Sequence, residues 1–283
     1  MQLGVLFNTD RLERADFVRY AQRIDELGFE SLWLPELFTR DPYAAAGYLL
    51  ARTERVKLAS GIANVYGRDP LATVSGAATL QEMSEGRFIL GLGVSNAGLN
   101  QARGHAWENP VHKLEAYLTA MRAVKLTSPQ PDVPVQVAAH GPRMLAKAAE
   151  LADGANTYLM PPAHVEQARA ALGKDAALNT MLFCLLDPDP DSARATVRKA
   201  SAYYMSLDYY HRAWRGLGYT DDDFADGGSD RLIDAISAWG TIEQVRQRIQ
   251  KQYDLGATRV VVIPLGAGMG GQPSWPLLEA LRS

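Results

Sequence analysis

Apolar residues along this chain follow two alternating rhythms. Short, nearly continuous apolar runs recur, among them LGVLF, SLWLP, FILGLG, VQVAA and RVVVIP. Between them, apolar positions return every three to four residues. Phe17, Ala21 and Ile24 form one such stripe, Val111, Leu114, Leu118 and Met121 a second, and Ile242, Val245, Ile249 and Tyr253 a third. The first rhythm belongs to strands covered on both faces, the second to helices with one buried face. The junctions repeat as well. RIDELGFESLWLPE, LQEMSEGRFILGLG, AAELADGANTYLM and QKQYDLGATRVVVIPLG each end a helical stretch in glycine and enter an apolar run within a few residues. Glycine there supplies the left-handed residue that stops a helix.

Eight strands are expected, at 3–7, 31–35, 56–64, 87–94, 133–139, 154–160, 176–186 and 258–265. The last helix before the eighth strand opens on Thr241 and Gln244, a capping-box pattern. Eight strands alternating with helices predict an α/β fold, a (β/α)8 TIM barrel, as a single domain over 1–283. An open doubly wound sheet needs no eighth strand closing on the first. Two intervals are longer than the rest. Residues 95–109 read as an irregular loop after the fourth strand. Residues 187–240 read as a helical insertion after the seventh, too short for a sizeable core of its own.

Composition narrows the functional classes. The chain has 283 residues, 47% hydrophobic and 22% charged, with a net charge of −3. That balance offers no basic surface for nucleic acid. No apolar run reaches the ~18 residues of a membrane span, and the N-terminus lacks the basic flank of a signal peptide. The lone cysteine, Cys184, forms no internal disulfide and fits a reducing compartment. The expectation is a soluble cytoplasmic protein that acts on a small organic molecule, with neither nucleic-acid nor membrane partners.

In such barrels chemistry sits at the C-terminal ends of the strands. The first strand delivers Asn8 and Thr9, and the second Pro35, Glu36, Leu37 and Phe38. The third delivers Gly61, Ile62, Ala63 and Asn64. The fourth delivers Gly91, Gly93, Ser95 and Asn96, with His105 further along. The fifth ends on His140, Gly141, Pro142 and Arg143, the sixth on Tyr158 to Pro161, and the eighth on Gly266, Gly268, Gly270 and Gly271. A metal site is not expected, because the first strand lacks His-x-His. No lysine ends a strand to form a Schiff base, and no Gly-x-Ser-x-Gly elbow is present. GLGVS only partly matches a dinucleotide loop, lacking the third glycine. A face with few charges, many glycines and several aromatics suits a large planar ligand.

The ordered segments LGVLF, LGFESLWLPE, VKLASGIANVYGRDP, GRFILGLGVSN, AAHGPRMLAKAAELADGANTYLMPP and GGSDRLIDAISAWGT cover essentially the whole chain. Their order and spacing resemble the luciferase-like monooxygenase superfamily of flavin and deazaflavin oxidoreductases, and within it the coenzyme F420-dependent branch. The resemblance implies hydride transfer to or from a small organic substrate. The alternative is an FMN-dependent monooxygenase using reduced flavin and oxygen. A third reading is a flavin-binding relative without turnover. Relatives of this kind commonly form homodimers.

The resemblance also assigns residues. It implies a cis peptide bond at Gly61–Ile62, pressed against the central ring of the cofactor, with Ala63 following and Asn64 offering its amide to the ring edge. Ser95, after the fourth strand, joins the cofactor set. The helix that starts at Gly141-Pro142-Arg143-Met144, directly after His140, is implied to hold the cofactor phosphate. Free N–H groups and the helix dipole attract an anion there, and Arg143 adds charge. The glycines at 266–271 compete for that role. Asp69-Pro70 reads instead as an ordinary helix cap and first turn. Many deazaflavin relatives end the second strand with an acid and then a histidine, whereas here Glu36 precedes Leu37. Glu36 is expected at the barrel mouth as the catalytic acid or as a ring contact, with His105 and His140 as the other proton-donor candidates. The aromatic stretch Tyr203, Tyr204, Tyr209, Tyr210, His211 and Trp214 reads either as a helix packed on the rim or as a wall of the substrate pocket.

Overall fold

Strand and helix alternate along the chain in the computed structural model, which describes residues 2–266 and 273–283. The first half runs β1 (Leu3–Leu6), α1 (Arg14–Glu26), β2 (Ser31–Leu34), α2 (Pro42–Leu50), β3 (Lys57–Ser60), β4 (Ala63–Asn64), α3 (Pro70–Met83), β5 (Phe88–Gly93), α4 (Ala97–Ala102) and α5 (Pro110–Ala123). The second half runs β6 (Val135–Ala138), α6 (Pro142–Leu151), β7 (Gly154–Tyr158), α7 (Pro162–Leu172), β8 (Ala177–Leu186), α8 (Pro190–Ser201), α9 (Asp208–Arg215), α10 (Asp230–Ala235), β9 (Ser237–Gly240), α11 (Ile242–Asp254), β10 (Arg259–Pro264) and α12 (Trp275–Arg282).

Every pairing is parallel. β1 lies between β10 and β2, the order continues through β3, β5, β6, β7 and β8, and β8 pairs back to β10. Eight staves thus close a barrel. The helical stripes behave as their spacing requires: Phe17, Ala21 and Ile24 of α1 are buried, and Thr241 and Gln244 form a capping box on α11. Alternation along each stave sends one set of side chains outward and one inward. Outward, Val5, Leu32, Leu58, Leu90 and Val137 pack on the helices. Inward, Leu6, Trp33, Met181, Phe183 and Ile263 share one cluster with Tyr210, Trp214 and Ile233 of the segment after β8. That segment therefore sits on the mouth of the barrel.

Three expectations change. The third strand is broken: β3 stops at Ser60, β4 resumes for two residues, and the Gly61–Ile62 step stands between them with a cis bond. Residues 95–109 are not wholly irregular, because Asn96 caps α4 by accepting from Leu99 N–H at 3.0 Å. The insertion at 187–240 is not wholly helical. β8 is ten residues long; β10 pairs with it through Cys184, β7 only through Met181, and on the edge β7 leaves, Phe183–Leu186 pair with β9. SAWG is too short to show a strand rhythm in sequence, and only the surplus length of β8 gives it a partner.

Candidate functional site

A cavity of about 2050 Å³ opens at the C-terminal ends of the strands. Leu6, Ala138, Met181 and Ile263 line its depth, and Gly61 and Ile62 form part of one wall. The glycines of FILGLG give that wall its clearance. A Cβ on Gly91 would stand 1.9 Å from the Ser60 carbonyl oxygen, and one on Gly93 would stand 2.9 Å from Ile62 Cγ1. The Gly-Leu-Gly run is thus explained by close packing of β5 against the broken third strand, without a dinucleotide. Ser95 also lines the cavity, with a left-handed φ of 58°.

The opposite wall is the start of α6. Asp41, Asp69, Asn109, Asp189 and Thr241 cap α2, α3, α5, α8 and α11 with their side chains, but Gly141 brings no side chain to α6. Pro142 takes the first turn, where a missing N–H costs nothing. The remaining amides of that turn need an acceptor. Gly141, Pro142, Arg143 and Met144 all line the cavity. Arg143 is exposed and has no side-chain partner among the described residues. An uncapped N-terminus with a free guanidinium is suited to an anion.

His140 precedes this turn. Its Nε2 accepts from Tyr158 N–H at 3.2 Å, and its carbonyl oxygen lies 2.7 Å from His164 Nε2. The Nε2 lone pair being used, the proton of the neutral ring sits on Nδ1. Burial, with His164 nearby, lowers the His140 pKa to about 3. At neutral pH the ring is a fixed neutral donor in the cavity wall, and it has no acidic proton to deliver.

Glu36 lines the mouth, but its side chain is only 6% exposed and turns away under the rim. Oε1 accepts from Arg103 at 2.7 Å, Oε2 accepts from Asn64 N–H at 2.9 Å, and Arg68 lies 3.8 Å away. Both oxygens are engaged, so the carboxylate ties the loops after β2, β4 and β5 together. Glu36, expected as the catalytic acid or a ring contact, is thus held in a structural ion-pair network. Glu36→Gln should cost about 1–2 kcal/mol, since the two arginines keep partial access to water. Chemical denaturation measures this, and an unchanged midpoint would show that the carboxylate holds nothing.

Two further assignments move. Asn64 is 3% exposed; its amide donates to Asn100 Oδ1 at 2.7 Å and its oxygen accepts from Tyr66 N–H at 3.1 Å. Neither Asn64 nor Ala63 lines the cavity, because the chain turns inward at Gly61–Ile62 and back into the ladder at once. His105 is also outside it. Its ring packs on Tyr66 at 5.7 Å in a separate hollow with Arg68, Asp69 and Tyr117. Asp69 caps α3, as expected. Gly266 lines the cavity, and Gly268, Gly270 and Gly271 lie outside the described residues.

The aromatic stretch serves both of its readings. Tyr203, Tyr204, Tyr209 and Tyr210 line the cavity. Trp214 is fully buried beneath them and donates to the Leu159 carbonyl at 3.2 Å, while His211 stacks on Phe224. One pairing was not readable in sequence: Tyr204 Oη donates to Tyr158 Oη at 3.1 Å across 46 positions. Burial raises the pKa of both phenols, so both stay protonated and can donate.

Comparison with known proteins agrees with this architecture. The model of the family described as luciferase-like monooxygenase matches residues 1–259. The 5,10-methylenetetrahydromethanopterin reductase of Methanolobus tindarius is 27% identical over 292 residues, covering 87% of this chain and 90% of that protein. The solved structure of the coenzyme F420-dependent tetrahydromethanopterin reductase from Methanopyrus kandleri superposes with a TM-score of 0.78 at 20% identity, covering 99% of this chain and 97% of that one. The oxygenating constituent of 3,6-diketocamphane monooxygenase from Pseudomonas putida, solved with FMN, gives a TM-score of 0.70 at 14% identity, covering 100% of this chain and 96% of that one. With a family match over residues 1–259 and a closed parallel barrel whose large cavity opens at the strand ends, the chain belongs to the luciferase-like monooxygenase family of oxidoreductases.

Proposed function

We propose that the protein uses the deazaflavin coenzyme F420 to move a hydride to or from a small organic substrate. The observation that carries this reading is the joining of two features in one cavity: a deep apolar slot walled by Gly61 and Ile62, and the uncapped N-terminus of α6 with Arg143. A planar ring with a phosphate-bearing tail needs both. The F420-dependent reductase structure named above supports F420 as the ring. When bound, the deazaflavin would supply or accept the hydride. The chain's own residues would do the rest. Gly141, Arg143 and Met144 would hold the phosphate, and His140 Nδ1–H and Ser95 would add polar contacts. Tyr158, with Tyr204 donating into it, would hold a substrate carbonyl or imine by a hydrogen bond as the hydride arrives, with the proton supplied by water.

The FMN-dependent monooxygenase is the second reading, favoured by a structural neighbour that holds FMN. Titrating the purified protein with F420 and with FMN, followed by fluorescence quenching, separates the two. Tighter binding of F420 is expected, and binding of neither ring would defeat both readings. Arg143→Ala should weaken ring binding by about 1–3 kcal/mol, the scale of a charge-assisted hydrogen bond. Unchanged affinity would move the phosphate to the glycines at 266–271.

A homodimer belongs to the same proposal. α2 carries no charged residue and α3 carries only Glu82, while Leu71 is 57% and Met83 81% exposed on α3. That outer face is the one we assign to a second copy. Sedimentation showing a monomer at micromolar concentration would remove it.

A further inference from the structure

Inside the barrel a polar chain begins near the N-terminal ends of the strands and ends open on the cavity. Arg259, the first residue of β10, holds Glu30 through Nε and Nη2, and its Nη1 donates to Asn179 Oδ1 at 2.8 Å. Arginine has donors only. Asn179 must therefore turn its oxygen toward Arg259 and its NH2 away. That NH2 donates to Gln136 Oε1 at 2.6 Å and to Asn156 Oδ1 at 2.7 Å, which uses both hydrogens. Asn156 in turn must meet Asn179 with its oxygen and present its own NH2 elsewhere. A buried guanidinium thus fixes the orientation of an amide two residues along the chain of contacts, which settles the usual ambiguity between amide oxygen and nitrogen.

The NH2 so fixed has no partner. Asn156 is 3% exposed and lines the cavity, and its Nδ2 is buried without a hydrogen bond. It lies 3.3 Å from the position a Cβ on Gly91 would take, beside the Ser60 end of β3. The cavity above it is lined by Leu6, Met181 and Ile263, side chains that offer no acceptor. A buried donor left unmade costs about 1–3 kcal/mol. Water can satisfy it, and a ligand that displaces the water must supply an acceptor in its place.

We propose that Asn156 Nδ2 is the floor donor of the site and takes a carbonyl oxygen of the bound ring, with Asn179 and Arg259 as the positioning residues that aim it. The inference rests on the deazaflavin or flavin reading above. It makes Asn156 a specificity residue: rings that bring a carbonyl to the deepest point are admitted, and rings that bring hydrocarbon there leave the donor stranded.

Asn156→Asp keeps the oxygen that Asn179 needs and replaces only the atom facing the cavity. Asn156→Ala removes both. Wild type and both variants are titrated with F420 and with FMN by fluorescence quenching, and the thermal unfolding of each protein alone is recorded. The infrared carbonyl band of the bound ring is read alongside. The expected result is wild-type binding with at least ~10-fold weaker binding in each folded variant, the low end of a lost buried hydrogen bond. The band should lie lower in wild type than in aprotic solvent and return upward in Asn156→Ala. Unchanged affinity and an unchanged band in a folded variant overturn the inference and leave the cofactor reading standing. If wild type binds neither ring, both fall. If neither variant folds, the wild-type band decides, and an unshifted band rejects the contact.

Discussion

Between pH 6.5 and pH 3 the protein should lose stability at up to about 1.4 kcal/mol per pH unit through His140 alone. The folded pKa is lowered to about 3 from an ordinary value of 6.5, chiefly by burial and then by the neighbouring His164. The sign follows from proton counting. Below 6.5 the unfolded chain binds a proton that the folded ring refuses, so stability is complete above that value and falls as pH drops toward 3. His164, also lowered by burial, acts in the same direction. His140→Gln can keep an acceptor for Tyr158 N–H and does not titrate. Denaturant midpoints measured from pH 7 to pH 4 should fall less steeply in that variant than in wild type. Parallel slopes would show that His140 is free to protonate in the fold. The same property matters for the site, because a ring that stays neutral holds its Nδ1–H toward the cavity across the working pH range. Ligand affinity should then carry no His140 titration between pH 5 and pH 8.

The barrel could be read from the sequence because two independent periodicities agree at nearly every junction. β1, β2, β6, β7 and β10 each fall within two residues of the expected ends. What escaped depends on contacts between distant segments. β9 is four residues that become a strand only because β8 outruns β7, whose pairing ends at Met181. α4 is a helix of only six residues whose start rests on Asn96. The site divides in the same way. Gly61–Ile62 and the start of α6 carry local signals, a glycine inside an apolar run and a Gly-Pro helix opening. Glu36 carried a misleading one. Its place after Pro35 does put it at the rim, but two arginines 32 and 67 positions away draw its side chain under. Asn156 gave no signal at all. GANTYLM is an ordinary apolar strand with one amide, and the orientation of that amide depends on Arg259, more than a hundred residues on.

Gly91→Ala should destabilise the protein by at least about 3 kcal/mol, at or beyond the upper end of ordinary overpacking. The added methyl would stand 1.9 Å from the Ser60 carbonyl oxygen, where real contacts begin near 3.0 Å. Neither backbone can yield cheaply. Ser60 Oγ is pinned to Gly91 twice, donating to its carbonyl at 2.8 Å and accepting from its N–H at 2.9 Å. The ladder holds the strands on both sides of the contact, through Ala59 with Ile89 and Ala63 with Leu92. Relief would require β3 and β5 to part at the residue before Gly61, moving the cavity wall and the atoms beside Asn156 Nδ2 with it. Ring binding should therefore fall together with stability. Gly141→Ala is the control at the other wall: its Cβ meets nothing within 4 Å and its φ is −83°, so the fold should tolerate it. Denaturation of the two variants side by side gives the test. A loss below about 1 kcal/mol in Gly91→Ala, within the range of unremarkable substitutions, would mean that β3 and β5 do not approach this closely and that glycine at 91 needs another cause.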